Sequence, residues 1–444
     1  MEYVILKYVY LIKIKDKLKI INLFKIENVY KLGQFSFYTG LFLLPSAFFI
    51  SAILFLIALS IGFFVNKEGY FKDSLNNFFF LGASMLTISS AINSIIPLII
   101  NGASISKIFS ENVSLFNWIP IIFGFYGFQP YLSSKNSRKN CVILILLATF
   151  PVICSAIGQA FFEWHGPMQT LGGLIVWYQR PIEGITSVTG LFNNQNYLAS
   201  WLCIVWPFCL ALFLQNEKSN PKRLLFFLFL ISVALIIVLT ASRAAWLSLL
   251  LSIPIMFGRR GTKLFTVLIS AISIIFLLIF IPIFGEGFQN QVMNLLPEGI
   301  WSNFVPSTYE MNISRIKIWE VALDTIIKNP IFGSGSSFPN ILEAKTGFWR
   351  GHTHNLPLEI MVSYGIPASL FILTPITKLI IKSYEAVFIN KNSFFQENLF
   401  DRAWITSLIL LTFSHFVDIQ YFDGRISIAG WILLAGSSQI IKKT

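Results

Sequence analysis

Two histidines one residue apart, His352 and His354, followed at once by Asn355, are the first candidates for chemistry in this chain. A histidine takes a proton near neutral pH, so His354 is a candidate general base. The His-x-His spacing also permits a metal site. No HExxH-type partner motif accompanies it, and neither metal nor cofactor is expected. The second candidates are arginines. Arg180, Arg243, Arg315, Arg350 and Arg425 all fall in segments between apolar runs where lysine is sparse. A guanidinium is a planar, permanently charged fork that grips phosphate or carboxylate through two hydrogen bonds. A set of them beside membrane helices suits an anionic, lipid-linked ligand such as a diphosphate. The alternative is snorkelling to headgroups or pairing with Glu163, Glu183, Glu320, Asp418 or Asp423. Arg243 sits in a turn between two apolar runs, with Ser242 beside it to offer a further hydrogen bond. Arg180 ends Trp177-Tyr178-Gln179-Arg180, whose aromatics suit either an interfacial belt or sugar stacking.

The elements that must position these residues are apolar. The runs are Phe35–Val65, Phe78–Ile100, Leu115–Leu132, Cys141–Phe162, Tyr197–Leu214, Leu224–Thr240, Ala244–Phe257, Leu264–Phe284, Leu356–Ile381, Ala403–Phe416 and Ile426–Ile441. With 55% hydrophobic and 12% charged residues, and a mean hydropathy of +0.69, most of the chain lacks a solvated face. About 25% charge is usual in a soluble domain. The expected fold class is all-α, a polytopic transmembrane helical bundle. The net charge of +12 does not indicate nucleic acid, because the lysines cluster in short tails and loops between apolar runs, as in cytoplasmic segments. Cys141, Cys154, Cys203 and Cys209 lie in or beside apolar runs without CxxC spacing and read as small buried hydrophobes.

Orientation follows from the basic loops. Ser133–Asn140, Asn216–Arg223, the Arg259-Arg260 loop and Lys382–Arg402 are expected inside. Glu163–Asn196, the Ser242-Arg243 turn, Gly285–Leu356 and Asp418–Arg425 are expected outside. No cleavable signal peptide is expected; residues 1–34 read as a basic arm on the inner surface, and 35–444 as a single transmembrane domain with external loops 163–196 and 285–356. An internal N-terminus requires Phe35–Val65 to fold back near Pro45-Ser46, which gives about 12 spans. The alternative is eleven with an external N-terminus. Within the large external loop, Ile313, Ile316, Trp319, Leu323, Ile326 and Ile327 recur at helical spacing, so an amphipathic helix is expected there, ended by Pro330 and Gly333.

Four pieces in order resemble the O-antigen ligase and polymerase superfamily of bacterial membrane glycosyltransferases, over roughly Gly184 to the C-terminus. They are Gly190-Leu-Phe-Asn-Asn-Gln-Asn196-Tyr-Leu-Ala199; Thr240-Ala-Ser242-Arg243-Ala-Ala-Trp246; Arg315-Ile-Lys-Ile-Trp319 with Asn329-Pro330-Ile-Phe-Gly333-Ser-Gly335; and His354-Asn355 followed, after nine residues, by Gly365-Ile-Pro-Ala368. The chain departs from the family pattern at Gln195, where Asn-Pro-Asn is common, and at Ala368, where glycine is common. The Tyr421-Phe-Asp423-Gly-Arg425 segment looks like a feature of some members and has no role assigned from its residues.

The resemblance implies transfer of a glycan from undecaprenyl diphosphate to an acceptor hydroxyl on the periplasmic face of the inner membrane, in lipopolysaccharide or surface-polysaccharide biosynthesis. The preferred acceptor is lipid A–core, which makes the protein a ligase; a polymerase, whose acceptor is another repeat unit, is the alternative. It further implies an inverting reaction without metal. On this reading His354 is catalytic, Arg180, Arg243 and Arg315 bind the donor diphosphate, and Asn196, Ser242, Asn355 and Gly365 support them. A transporter is the competing class; it would carry mid-span charges and two repeated halves, and neither stands out. A membrane scaffold without chemistry is the third.

Overall fold

The computed structural model describes residues 26–66, 69–101, 109, 111–182, 187–216, 220–280, 285, 287–288, 291, 314–389 and 398–442. Most of the basic arm expected over 1–34 lies outside them, as do Lys107, Glu183, Ile313 and most of the segment from 286 to 313. What is described is almost entirely helical, as the apolar runs require. Six helices are long and apolar enough to cross a membrane: Phe48–Val65, Ser74–Ile95, Lys135–Phe162, Gln195–Gln215, Lys222–Leu239 and Ile366–Ile389. The expectation of about twelve crossings adds to these a set of helices that are shorter or less apolar.

The run Phe35–Val65 turns back on itself. Helix α1 (26–43) ends in a turn at 44–46, and α2 (Phe48–Val65) returns beside it. Ser51 Oγ donates to Gly40 O at 2.7 Å across that turn. Then follow α3 (Ser74–Asn101), a short α4 (Ile119–Gly127), α5 (Lys135–Phe162), a β-hairpin of β1 (Met168–Thr170) and β2 (Ile175–Trp177), α6 (Gln195–Gln215), α7 (Lys222–Leu239), α8 (Arg243–Phe257) and α9 (Arg259–Phe280). After the long loop come α10 (Arg315–Lys328), α11 (Phe338–Thr346), α12 (Leu356–Tyr364), α13 (Ile366–Tyr384), α14 (Leu399–Val417) and α15 (Gly424–Ile441).

Two runs expected as whole spans are not continuous helices. Leu115–Leu132 contains only the nine residues of α4, between 3₁₀ turns; Pro120 in its first turn and Pro130 just past its end donate no backbone hydrogen bond and so interrupt the run on either side. Leu356–Ile381 is divided at Gly365 into α12 and α13. The most enclosed helices are α6, α14 and α15. Helix α14 packs on α6, α8 and α15, and the fully buried Trp201 and Trp404 lie within this centre. Three of the cysteines are buried as expected; Cys154 is exposed on α5, a correction to the sequence reading.

Contacts between distant loops sort the bundle into two ends. At one, Arg138 pairs with Asp401, Lys135 Nζ donates to Asn398, and Arg402 donates to Met256 O. At the other, Trp177 donates to Ser46 O, Arg425 to Leu191 O and Asn355 to Phe416 O. The loops expected outside thus meet at one end of the bundle.

Helix α10 forms where the amphipathic helix is expected, with Ser314 as its N-cap. Its packed face is Ile318, Val321, Ala322, Thr325 and Ile326; of the stripe read from the sequence, Ile326 belongs to it and Trp319 packs beside it. Ile316, Leu323 and Ile327 are exposed. The helix carries apolar residues on two faces, and periodicity alone does not say which one finds a partner. The one that does packs on α11 and α12.

Candidate active site

The site is built from the loop before α12, the end of α14 and the start of α6. His354 stands in a left-handed backbone conformation, φ +55°, that only a braced loop maintains. The bracing is dense. Thr353 N donates to the buried carboxylate of Glu359 at 2.8 Å, and Trp319 Nε1 of α10 donates to Thr353 O at 3.0 Å. Asn355 is the N-cap of α12: its Oδ1 accepts from Leu358 N at 3.0 Å, and its Nδ2 donates to Phe416 O at 2.9 Å. That last bond ties the histidine loop to the end of α14.

One residue further on is Asp418. Its Oδ1 accepts from His354 Nδ1 at 2.8 Å, and its Oδ2 accepts from Asn196 Nδ2 at 3.0 Å. Burial alone would raise the Asp418 carboxyl, but the hydrogen bond and charge of His354 outweigh it and hold the group below its usual value. An ionised Asp418 fixes the His354 tautomer with the proton on Nδ1, which leaves Nε2 as the basic nitrogen. Asn196 comes from the first turn of α6. That turn starts at Asn194, whose side chain accepts from Asn196 N at 2.7 Å. Gln195 is therefore the first helical residue, a position that tolerates proline because its N–H has no intrahelical partner. Glutamine there costs little, and its Oε1 accepts from Ser187 N at 3.0 Å.

The two glycines of the third and fourth motifs interlock. Gly365 has φ +89°, and a Cβ on it would lie 2.0 Å from Ile331 O; a Cβ on Gly333, φ +63°, would lie 2.5 Å from the Ser363 carbonyl carbon. Ile366 N donates to Pro330 O, and Ser334 N to Val362 O. These two loops fit only with bare backbone at both places. Gly365 accordingly breaks the α12–α13 run and seats the Asn329–Gly335 segment against it.

The arginines divide. Arg425 is buried, with Nε donating to Asp423 Oδ1 at 2.8 Å, Nη1 to Leu191 O at 3.1 Å, and the guanidinium 3.8 Å over the Phe192 ring. It is committed to pinning the first motif to the loop after α14, which corrects its reading as a cation turned towards a ligand. Arg315 is exposed at the start of α10, close enough to His352 to help disfavour its charge. Arg180 is exposed at the end of the β-hairpin segment, its backbone held by Gln159 and Thr189. Arg243 is exposed at the first residue of α8; Ser242, its N-cap, is buried and receives no bond from the helix through its side chain. Asp418 is the residue that sequence reasoning undervalued. It stood there only as a counter-ion, and its position just past the run Ala403–Phe416 was the available signal.

His352 Nδ1 accepts from His354 N at 3.2 Å, and the two rings lie 4.3 Å apart. Burial first, then the charge of His354, pushes the His352 imidazole down to about 4. An unfolded histidine takes its proton near 6.5, so in this window the unfolded chain binds the proton that the folded one refuses. Stability from a neutral His352 is present above pH 6.5 and is lost as pH falls towards 4. Asp418, held low, adds a loss of the same sign at still lower pH. Melting curves between pH 7 and 4 are expected to fall, and to fall less steeply for His352→Asn. Among the described residues, His352, His354 and Asp418 also offer ligand atoms within 4.8 Å of one another. Both Nδ1 atoms and both Asp418 oxygens already take part in hydrogen bonds.

Below this end, Trp118, Leu356, Ile360, His415, Tyr421 and Trp431 line a largely apolar cleft of about 210 Å³ between α12, α13, α14 and α15. The His354–Asp418 pair thus stands above an apolar cleft in a helical bundle. A family model for O-antigen ligase matches residues 226–373. The match covers about a third of the chain and supports the O-antigen ligase/polymerase superfamily. The matched stretch runs from α7 into α13, and so takes in Arg243, Arg315, His354 and Gly365. Asn196 and Asp418 lie on either side of it. Comparison with curated proteins gives no significant match. The match indicates an enzyme of membrane glycosyltransferase type in the broad sense, a class whose substrates are a lipid-linked glycan and an acceptor.

Proposed function

We propose that the protein transfers a glycan from undecaprenyl diphosphate to an acceptor hydroxyl at the periplasmic face of the inner membrane, with lipid A–core as the acceptor. The observation that carries this reading is the His354–Asp418 hydrogen bond, 2.8 Å long, at the end of the bundle where the family's motifs meet. The acceptor oxygen attacks the anomeric carbon as the bond from that carbon to the diphosphate oxygen breaks, with inversion. The hydroxyl proton passes to His354 Nε2, and the imidazolium formed is stabilised by the Asp418 carboxylate. Undecaprenyl diphosphate leaves with one more negative charge than it had in the ester. Arg315, at the histidine loop, and Arg180 and Arg243, exposed near the ends of their segments, supply the cations that favour that departure. Asn196 holds Asp418, Asn355 holds the loop, Ser242 sets the start of α8, and Gly365 makes room for the Asn329–Gly335 segment. The apolar cleft suits a polyprenyl or acyl chain.

The test is transfer by purified protein in lipid, using labelled undecaprenyl-diphosphate glycan with and without lipid A–core. Label is expected on lipid A–core, at an undiminished rate in EDTA. Lengthening of the glycan on its polyprenyl carrier without acceptor makes the protein a polymerase. Movement of intact donor across the bilayer without bond exchange makes it a transporter. Loss of transfer in EDTA with recovery on added cation overturns the metal-free mechanism.

A further inference from the structure

We propose that the β-hairpin between α5 and α6 is immersed in lipid, with its tip among the acyl chains of the leaflet at the His354 end. Three observations carry it. From Trp164 to Gln179 the chain has no Asp, Glu, Lys or Arg, although Glu163 and Arg180 bracket it. Of the side chains the hairpin exposes, Met168, Leu171 and Leu174 are apolar, the last two on either side of Gly172-Gly173 at the tip, and Gln169 and Thr170 of β1 are uncharged.

The third observation is where the hairpin lies. It does not rise from the end of α5 but folds back along it. Trp164 N donates to Gly158 O, Gln179 Nε2 donates to Ser155 Oγ at 2.6 Å, and Met168 and Trp177 share a cavity wall with Pro151 and Cys154. Residues 151–155 lie 7 to 11 positions before the end of α5 at Phe162. At 1.5 Å per residue that is about 10–16 Å back along the helix. The face of α5 in question is lipid-like: Leu147, Phe150 and Cys154 are exposed along it, and so are Phe161 and Phe162 at its end. The hairpin continues that surface.

The α1–α2 turn explains the need for it. The turn at 44–46 meets the hairpin at Trp177, which also lies against Pro151 and Cys154, well before the end of α5. The indole of Trp177 donates to Ser46 O at 2.7 Å, and the hairpin covers the turn that lipid would otherwise meet as bare carbonyls. A leucine with φ +51° at the tip is a poor choice for a turn in water, where asparagine or glycine is preferred, and a reasonable one for a turn in lipid.

Spin labels at Met168→Cys, Leu171→Cys and Leu174→Cys test this in the full chain in nanodiscs. The background is Cys154→Ala, the remaining cysteines being buried. Phe150→Cys on the exposed face of α5 and Lys317→Cys on α10 serve as references. Labels at 171 and 174 are expected to show the Phe150→Cys pattern, with relaxation by oxygen several-fold stronger than by a water-soluble nickel chelate. Strong relaxation by the nickel chelate, as at Lys317→Cys, places the hairpin in water and overturns the proposal. Weak relaxation by both overturns it too, because the hairpin is then covered by protein. A label that disturbs the tip itself shows as a disagreement with Met168→Cys at the base, and the base position then decides.

Discussion

His354→Ala is expected to lower glycan transfer by about 10²–10⁴-fold, the range that a positioned general base contributes, while the donor continues to bind. The donor's diphosphate is held by cations and its lipid by apolar surface, and neither includes the imidazole. Asp418→Asn separates the base from the group that orients it. Asparagine can still accept from His354 Nδ1, so the ring stays in place, but the charge that stabilises the imidazolium is gone. A hydrogen bond to a charged partner is worth about 1.5–3 kcal/mol, which is about 10–100-fold in rate. The expected order is wild type, then Asp418→Asn, then His354→Ala, with donor affinity nearly level across the three. Single-turnover transfer and donor binding, measured on the same preparations, check it. A His354→Ala protein that transfers at wild-type rate removes the base from this mechanism; one that loses donor binding as well makes His354 a binding residue.

How far this site was legible in the chain depended on separation along it. The motifs were readable because their reasons are local. Asn194 caps α6 two residues before Asn196, and Asn355 caps α12 three residues before Leu358, so each motif carries its own helix start. The turn near Pro45 was legible from charge: an N-terminal arm kept inside by its lysines requires the run Phe35–Val65 to cross twice, and the run holds a proline. What stayed hidden was pairing at a distance. Asp418 meets His354 across 64 residues, Arg425 reaches Leu191 across 234, and no pattern in either segment names its partner. The same limit produced the error in α10. Ile316 and Ile318 are equally apolar, and only the presence of α12 decides that Ile318 is buried. The break at Gly365 was visible as a residue but not as an event, because it depends on the Ile331 carbonyl arriving at that point.

The largest effect on stability is expected at the opposite end of the bundle. Arg138, in the first turns of α5, reaches Asp401 at the start of α14 with two parallel bonds, Nε to Oδ1 and Nη2 to Oδ2, each 2.9 Å, and Nη1 donates to Leu132 O at 3.1 Å. Side-chain exposure is 2% for the arginine and 9% for the aspartate, so neither charge has water to fall back on. Asp401→Leu leaves the guanidinium buried without its counter-charge, and about 3–5 kcal/mol of stability is expected to go with it. Arg138→Met combined with Asp401→Leu removes both charges together. The double variant is expected to recover most of that loss, because an apolar pair of similar volume replaces a desolvated ion pair at little cost. Reversible unfolding of the three proteins in one detergent measures the difference, and transfer per folded molecule should be equal in all of them. That equality gives the measurement its use for function. The pair anchors α14, whose far end carries Asp418, yet it takes no part in the proton transfer. A double variant as unstable as the single one would mean that the bonds to Leu132 and the shape of the arginine matter more than its charge. A stable double variant with slowed transfer would mean that the tilt of α14, set at this end, reaches Asp418 at the other.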